Sequence, residues 1–170
     1  GAPLLEAGVR LIAPQFALTG VDVRALPPEI QSVFEQPALR AVFDVGGDDA
    51  GAVALGQYSA RLRAADAALY YVVNVFRPRS ATPREIVDMI DRIADRARLA
   101  PAGLINNANL GDETTPRLLD QGEAVLREVS RLRGIPVVAA SGTAEALAGR
   151  TGGAPAFEIR RLMKPEWMDA

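Results

Sequence analysis

The sequence of 170 residues contains no histidine and no cysteine. These two absences exclude disulfides, thiol nucleophiles, histidine general bases and the histidine- or cysteine-ligated metal sites that zinc proteins use. Any chemistry in this chain must therefore come from carboxylates, amides, hydroxyls, arginines and backbone dipoles.

Lysine is almost as scarce, since Lys164 is the single lysine beside eighteen arginines. A phosphate-binding loop of the common type needs a Gly-Lys-Ser/Thr run, because its lysine reaches the terminal phosphates of the nucleotide. No such run occurs, and Lys164 lies only six residues before the C-terminus. A mechanism that depends on a phosphate-loop lysine must take it from elsewhere.

Strong charge and long apolar runs are also missing. The formal net charge is -2, so we expect no direct binding to nucleic acid through a basic field. The longest apolar run, residues 67–73, falls far short of the roughly 18 residues that a membrane span requires. The first residues lack the order of a secretory signal. We expect a soluble, cytoplasmic protein without a membrane span.

The composition that remains is that of a folded domain. Hydrophobic residues make up 49% and charged residues 24% of the chain, which excludes disordered and collagen-like chains. A domain of this size buries about 70% of its unfolded surface. We predict one domain over residues 1–150 and a C-terminal tail over 151–170, joined by a glycine-rich segment, 151–155, that is typical of a flexible joint.

Apolar runs alternate with segments of helical spacing along the chain. The predicted strands cover residues 9–13, 41–44, 68–76, 102–105 and 135–140. The predicted helices are one that ends near Gly8, then 26–36, 50–65, 82–97, 115–134 and a short one that Ser141-Gly142-Thr143 starts and that runs to about 148. Strands without polar alternation, each followed by a capped helix, are typical of a parallel sheet covered on both faces. We predict an α/β fold with three α/β/α layers and a mostly parallel, doubly wound sheet.

Ligands of such folds bind at the carboxyl ends of the strands, so the residues directly after each apolar run are the candidates. Asp44 ends the second predicted strand, and Gly47 completes a D-x-x-G pattern. Nucleotide hydrolases use such an aspartate to hold Mg²⁺, and the glycine lets a backbone N–H approach the γ-phosphate. The same acids and glycines are equally common in an ordinary strand-to-helix turn, where Asp48 favours the helix N-terminus.

Amides and a hydroxyl follow the later strands. The Asn106 side chain presents both a donor and an acceptor, which match the edge of adenine, whereas guanine favours a carboxylate. Asn107 is its neighbour, and Ser141-Gly142 follows the next strand, where backbone N–H groups can surround a base. The alternative is structural, since asparagines often make turns and Ser141 is a suitable helix cap.

Four blocks in order carry a family resemblance: AVFDVGGDDAGAVALG at 41–56, VVNVFRP at 72–78 with TPREI at 82–86, GLINNANLGDETT at 103–115, and PVVAASG at 136–142. Together they resemble the P-loop ATPases of the MinD/ParA/CobQ type over nearly the whole chain. The resemblance implies Mg-ATP binding and hydrolysis with nucleotide-dependent homodimerisation.

Individual roles follow from the resemblance. It implies that Asp44 is the Walker B residue, which acts in catalysis and binds magnesium. It further implies that Gly47 and Asn106, with Asn107 as its neighbour, contact the nucleotide. Gly46, Asp48 and Ser141 are the further candidates for nucleotide contact, from their positions after the predicted strands.

The chain departs from this family at the phosphate loop, which has no match, and at Val45-Gly46, where better-known members have a proline-containing switch. The departure suggests a fragment that begins after the first βα unit, which would leave the sheet without a central strand and the isolated chain without hydrolysis. The alternative is a natural binding or scaffold module of the same fold without a phosphate loop.

Overall fold

The computed structural model describes residues 2–12, 29–36 and 38–160. They form two compact units: unit 1 contains the described residues up to Ala67 together with Asp95–Leu99, and unit 2 contains Ala68–Ala94 and the described residues from Ala100 onward. The chain is an α/β protein whose four-stranded sheet lies in unit 2.

Unit 1 contains four short helices: α1 (Ala2–Glu6), α2 (Ile30–Glu35), α3 (Asp49–Gly56) and α4 (Ser59–Ala64). Its buried apolar side chains come from α2, α3, α4 and the end of the following long helix: Ile30, Ala52, Leu55, Leu62 and Ala97. The Phe34 ring stacks between two others, with centroids 6.0 Å from Phe43 and 5.9 Å from Tyr58. These rings and aliphatic side chains hold the unit together.

Unit 2 begins with a regular alternation of strands and helices. The elements are β1 (Tyr70–Val73), α5 (Pro83–Ala97), β2 (Gly103–Asn106), a 3₁₀ turn (Gly111–Glu113), α6 (Pro116–Arg133), β3 (Val137–Gly142), α7 (Ala144–Leu147) and β4 (Ala156–Glu158). All neighbouring strands are parallel, and their spatial order is their order in the sequence. Consecutive parallel strands joined by right-handed crossovers place the connecting helices on one face of the sheet.

The core of unit 2 lies on that helix-covered face. Strand side chains there join one cluster with helix side chains, in which Ile86 and Ile90 come from α5 and Leu126 and Val129 come from α6. The remaining buried members are Val73, Val75, Leu104, Ala108, Leu119 and Ala146. Helix α5 therefore packs on the sheet through Ile86 and Ile90.

Local sequence signals explain where the long helices begin and end. Thr82 and Glu85 form a capping box, because the Glu85 carboxylate accepts from the Thr82 N–H at 3.0 Å and the Thr82 hydroxyl accepts from the Glu85 N–H at 3.3 Å. Helix α6 begins at Pro116 and stops at Gly134, whose φ of 68° is the left-handed conformation that favours glycine.

Three predicted elements differ from the structure. Residues 41–44 are not in a strand, and Val42 is 96% exposed; an apolar run becomes a strand only where a neighbour pairs with it. Residues 9–12 are not in a strand either, while Ala13 lies outside the described residues. The predicted helix 50–65 is divided into α3 and α4.

The segment after residue 150 also differs from its prediction. Strand β4 lies in the predicted tail and pairs with β3, Phe157 opposite Ser141. The glycine-rich segment is held by hydrogen bonds to α6, as described below, and is not a free joint. Within the predicted helix 26–36, residues 26–28 lie outside the described part of the chain. Of the remaining residues, Ile30–Glu35 form helix α2.

Candidate functional site

Four polar side chains at the carboxyl ends of three strands form one hydrogen-bonded group, which we call the amide edge: Asn74, Asn107, Asn109 and Ser141. Asn74 follows β1, and its Nδ2 donates to the Asn109 carbonyl at 2.9 Å. The Asn74 Oδ1 accepts from the backbone N–H of Asn109 at 3.2 Å and of Phe76 at 3.1 Å. Asn74 therefore fixes the loop after β2 against the end of β1.

Asn107 and Ser141 extend the amide edge to β3. The Asn107 Nδ2 donates to the Ser141 hydroxyl at 2.8 Å, and that hydroxyl donates to the Asn106 carbonyl at 3.3 Å. The Asn107 Oδ1 accepts from the Asn109 Nδ2 at 2.9 Å. Because Asn107 and Asn109 are half-buried, the amide edge combines fixed geometry with partial exposure.

Asn106 is placed differently, although it is adjacent in sequence. Its side chain is 0% exposed, its Nδ2 donates to the Leu119 carbonyl at 2.8 Å, and its Oδ1 accepts from the Ala108 N–H at 3.2 Å. Both ends of the amide are therefore used inside the protein, where they attach α6 to β2. Adenine recognition by Asn106 requires both bonds to break and remains a prediction.

Ser141 is part of β3 and does not cap the next helix. The cap of α7 is Thr143, whose hydroxyl accepts from the Ala146 N–H at 3.3 Å. Ser141 is 6% exposed, and its hydroxyl is instead shared between Asn107 and the Asn106 carbonyl. The capping alternative is wrong for Ser141, because β3 continues two residues beyond the predicted strand end.

The Asp44 segment belongs to unit 1, so the structure assigns the predicted site residues to two separate units. Asp44 is exposed and does not end a strand, which corrects the predicted context of the Walker B role. Its neighbour Phe43 contacts Phe34 through stacked rings. The carboxylate is accessible to solvent and to a hydrated cation.

The glycines and acids after Asp44 build the start of α3. Asp48 is the N-cap, and its Oδ1 accepts from the Gly51 N–H at 2.9 Å, so the turn interpretation of Asp48 is confirmed. A Cβ at Gly51 would collide with the Gly46 carbonyl. Gly46 and Gly47 are exposed, and a Cβ on Gly47 would meet no atom within 4 Å. Packing therefore requires a glycine at 51 but not at 47.

Sequence reasoning missed two carboxylates on α6, Asp120 and Glu123, which we call the carboxylate clamp. Asp120 accepts from the Thr151 N–H at 3.1 Å, the Thr151 hydroxyl at 2.8 Å and the Gly152 N–H at 2.9 Å. Glu123 accepts from the Gly153 N–H at 2.6 Å and the Ala154 N–H at 3.1 Å. The clamp holds the segment that leads into β4.

The clamp also sets the charge state of Asp120. Burial pushes the pKa of this carboxyl upward, but hydrogen bonds from Thr151 and Gly152 and the positive charge of Arg150 outweigh that effect, so the pKa lies below its ordinary value. Asp120 is therefore ionised at neutral pH. Only the three-residue spacing of Asp120 and Glu123 on one helix face was visible in the sequence.

No family is shown by comparison with known proteins: protein-family models, curated proteins and solved structures gave no match. Among the described residues, no group of three or more acidic side chains is placed to hold a metal ion. None of the described helices is long and apolar enough to cross a membrane. The hydrogen bonds that join three strand ends define the amide edge as the candidate site.

Proposed function

We propose that this chain belongs to an ATP-binding ATPase of the P-loop MinD/ParA/CobQ type, in which the parallel sheet of unit 2, with its connecting helices on one face, forms part of a doubly wound, three-layer arrangement. The observation that supports this proposal is the amide edge, because it joins the carboxyl ends of three adjacent parallel strands, where α/β sheets bind their ligands. The proposed activity is Mg-ATP binding and hydrolysis with nucleotide-dependent homodimerisation.

Adenine is the part of ATP that the amide edge suits. Asn107 carries a donor and an acceptor on one half-buried amide, which is the pairing that the edge of adenine requires. Its present partners are the Ser141 hydroxyl and the Asn109 amide. A bound base replaces these hydrogen bonds with hydrogen bonds of its own. The free-energy cost is small because one polar partner replaces another. Asn107 thus takes the role that Asn106 cannot fill without disturbing α6.

Magnesium is the second group that this function requires. Mg²⁺ is commonly held by one or two carboxylates with phosphate oxygens and water completing the octahedron. The exposed carboxylate of Asp44 fits one such position, and Gly46 and Gly47, which are both exposed, are the backbone groups proposed to approach a phosphate. The ion supplies charge neutralisation on the terminal phosphates. Asp44 holds the ion in this proposal. A phosphate-loop lysine is absent from the 170 residues.

A binding module without hydrolysis is the second candidate. Two observations favour it: the Asn106 amide is fully used inside unit 2, and Asp44 does not stand at the end of a strand. Such a module uses the α/β scaffold to present a surface to a partner. The two candidates differ in whether the chain binds nucleotide at all.

Calorimetric titration of the 170-residue chain with Mg-ATP and with Mg-GTP separates them. We expect ATP to bind with a dissociation constant of about 1 mM or tighter, which corresponds to roughly 4 kcal/mol, and GTP to bind more weakly. The variant Asn107→Ala should lose the preference for ATP over GTP. Absence of ATP binding at millimolar concentration would contradict the proposal and favour the binding module.

A further inference from the structure

The hydrogen bonds of the amide edge run in one direction, because the Ser141 hydroxyl has a single hydrogen to donate. It donates that hydrogen to the Asn106 carbonyl at 3.3 Å. The same hydroxyl therefore accepts from the Asn107 Nδ2, which lies 2.8 Å away. The Asn107 amide is thus oriented with its nitrogen toward Ser141 and its oxygen toward Asn109.

The orientation of the Asn109 amide follows from its two contacts with Asn107. The Asn109 Nδ2 lies 2.9 Å from the Asn107 backbone carbonyl oxygen and 2.9 Å from the Asn107 Oδ1. Both oxygens only accept hydrogen bonds, so the amide nitrogen of Asn109 has to face them. The two hydrogens of this nitrogen are used in these bonds, and the Asn109 Oδ1 is the opposite end of the amide.

The Asn109 Oδ1 is the end of this chain of hydrogen bonds. Within residues 2–12, 29–36 and 38–160, no group donates to it, and the Asn109 side chain makes its bonds through Nδ2. In the same part of the chain, only Gln31 buries a side-chain oxygen without a partner. The Asn109 Oδ1 is therefore an acceptor that a ligand can reach from solvent.

Asn74 fixes the backbone that carries this acceptor. The Asn74 Nδ2 donates to the Asn109 carbonyl at 2.9 Å, and the Asn74 Oδ1 accepts from the Asn109 N–H at 3.2 Å. One side chain thereby holds both backbone groups of Asn109. An acceptor held at its backbone and at its own amide nitrogen loses little conformational freedom when a ligand binds, and such preorganisation increases affinity.

The free groups of the amide edge are a donor and an acceptor on neighbouring side chains. The Asn107 Nδ2 has a second hydrogen beside the one that it donates to Ser141, and Asn109 supplies the acceptor. Adenine carries a 6-amino group, which donates, whereas guanine carries a carbonyl oxygen at that position. An oxygen placed against the Asn109 Oδ1 would oppose one acceptor with another.

On the basis of the proposed nucleotide function, we propose that Asn109 determines the base specificity of the amide edge, because its Oδ1 accepts one N–H of the adenine 6-amino group. The Asn107 Oδ1 already accepts from Asn109. The Asn109 Oδ1 accepts from the base without the loss of a hydrogen bond within the described residues. Asn109 therefore adds the acceptor, and Asn107 keeps the donor.

Two ligands that differ only in the 6-amino group test this contact. Purine riboside triphosphate is ATP without that group, and each ligand is titrated with Mg²⁺ into the full 170-residue chain by calorimetry. We expect ATP to bind about threefold to tenfold more tightly, because a neutral hydrogen bond contributes about that much affinity. Asn109→Ala should bind the two ligands with equal affinity.

Thr114→Val is the matched control in the same loop. The Thr114 hydroxyl accepts from the Leu110 N–H at 2.9 Å and donates to the Gly111 carbonyl at 2.7 Å, so the substitution disturbs the loop and leaves the Asn109 amide in place. This variant should keep the preference for ATP within twofold. Circular dichroism checks that both variants are folded.

Carbon NMR of the Asn109 side-chain carbonyl provides a measurement that needs no variant. In the unaltered chain, we expect this signal to shift in a saturable way with ATP and to shift less with purine riboside triphosphate. Equal shifts with the two ligands would show that the 6-amino group does not reach Asn109.

Failure of Asn109 in this role differs from failure of the proposed function. If the unaltered chain binds neither ligand at millimolar concentration, nucleotide binding and the role of Asn109 are both contradicted. If it binds both ligands equally, or if the preference for ATP persists in Asn109→Ala, nucleotide binding stands and the role of Asn109 is overturned. The same holds if Thr114→Val loses the preference as fully as Asn109→Ala.

Discussion

The Arg150 Nη1 lies 2.7 Å from the Glu123 Oε2, and the two side chains are only 7% and 5% exposed. This pair connects α6 to the segment before β4, and the Arg150 guanidinium also contacts the Ala154 carbonyl. The Glu123 carboxylate is further satisfied by the N–H groups of Gly153 and Ala154. A buried ion pair with this many partners is costly to break, because each ion left alone is poorly solvated.

Glu123→Gln should therefore destabilise the chain by about 3–5 kcal/mol, since Arg150 is left charged and buried without its counter-ion. The measurement is the free energy of unfolding in urea. Glu128→Gln is the matched control, because Glu128 pairs with Arg131 on the same helix with side chains 44% and 69% exposed, and a surface pair contributes less than about 1 kcal/mol. Equal losses of unfolding free energy in Glu123→Gln and Glu128→Gln would contradict a special role for the buried pair.

The lowered pKa of Asp120 gives a second prediction. A carboxyl whose pKa is lower in the folded protein contributes stability above the unfolded value of about 3.9, and this contribution is lost as the pH falls through the folded pKa. Thr151→Val removes the hydroxyl that donates to Asp120 and should raise the pKa of Asp120. Thr151→Ser keeps the donor and should not. Carbon NMR of the Asp120 carboxyl follows the titration, and identical pKa values in both variants would refute the assignment.

Asn106 and Asn107 should respond differently to the same substitution. Asn106→Ala leaves the buried Ala108 N–H without its partner, removes the bond to the Leu119 carbonyl and should cost about 2–4 kcal/mol of unfolding free energy. Asn107→Ala affects a half-buried amide and should cost about 1 kcal/mol while removing adenine selectivity. Urea unfolding measures the loss of stability, and calorimetry measures the adenine selectivity. A larger loss of stability in Asn107→Ala than in Asn106→Ala would exchange the structural and binding roles of the two residues.

Close packing at Gly103 gives a prediction for the sheet. A Cβ there collides with Val138, so Gly103→Ala should destabilise the chain by about 1–3 kcal/mol. Adding Val138→Ala should recover part of this loss, which a double-mutant cycle measures. Gly47→Ala, where the added Cβ meets no atom, should have little effect. Additive effects of Gly103→Ala and Val138→Ala would show that the two positions do not touch.

The sequence predicted the parts of this fold that local chemistry determines. The capping box at Thr82 and the glycine stop at Gly134 predicted the long helices α5 and α6, and the apolar runs predicted β1, β2 and β3. Residues 41–44 look equally strand-like, but pairing depends on a neighbour that a single segment does not reveal. Strand β4 is too short and too exposed to give a clear alternation.

The sheet topology accounts for one part of the candidate site, the part that lies in unit 2. Parallel topology brought Asn107 and Ser141 together as expected, because strand ends share one edge of the sheet. Which of two adjacent asparagines is buried depends on which one faces α6, and β2 orients Asn106 that way. The carboxylate clamp joins residues about 30 positions apart, so no local sequence pattern predicts it.

Nitrogen NMR of the side-chain amides during titration with Mg-ATP tests the nucleotide proposal most directly. We expect the Nδ2 signals of Asn107 and Asn109 to shift in a saturable way, while the Nδ2 signal of buried Asn106 keeps its position. Unchanged signals for Asn107 and Asn109 at millimolar ATP, or shifts confined to residues of unit 1, would contradict adenine binding at the amide edge.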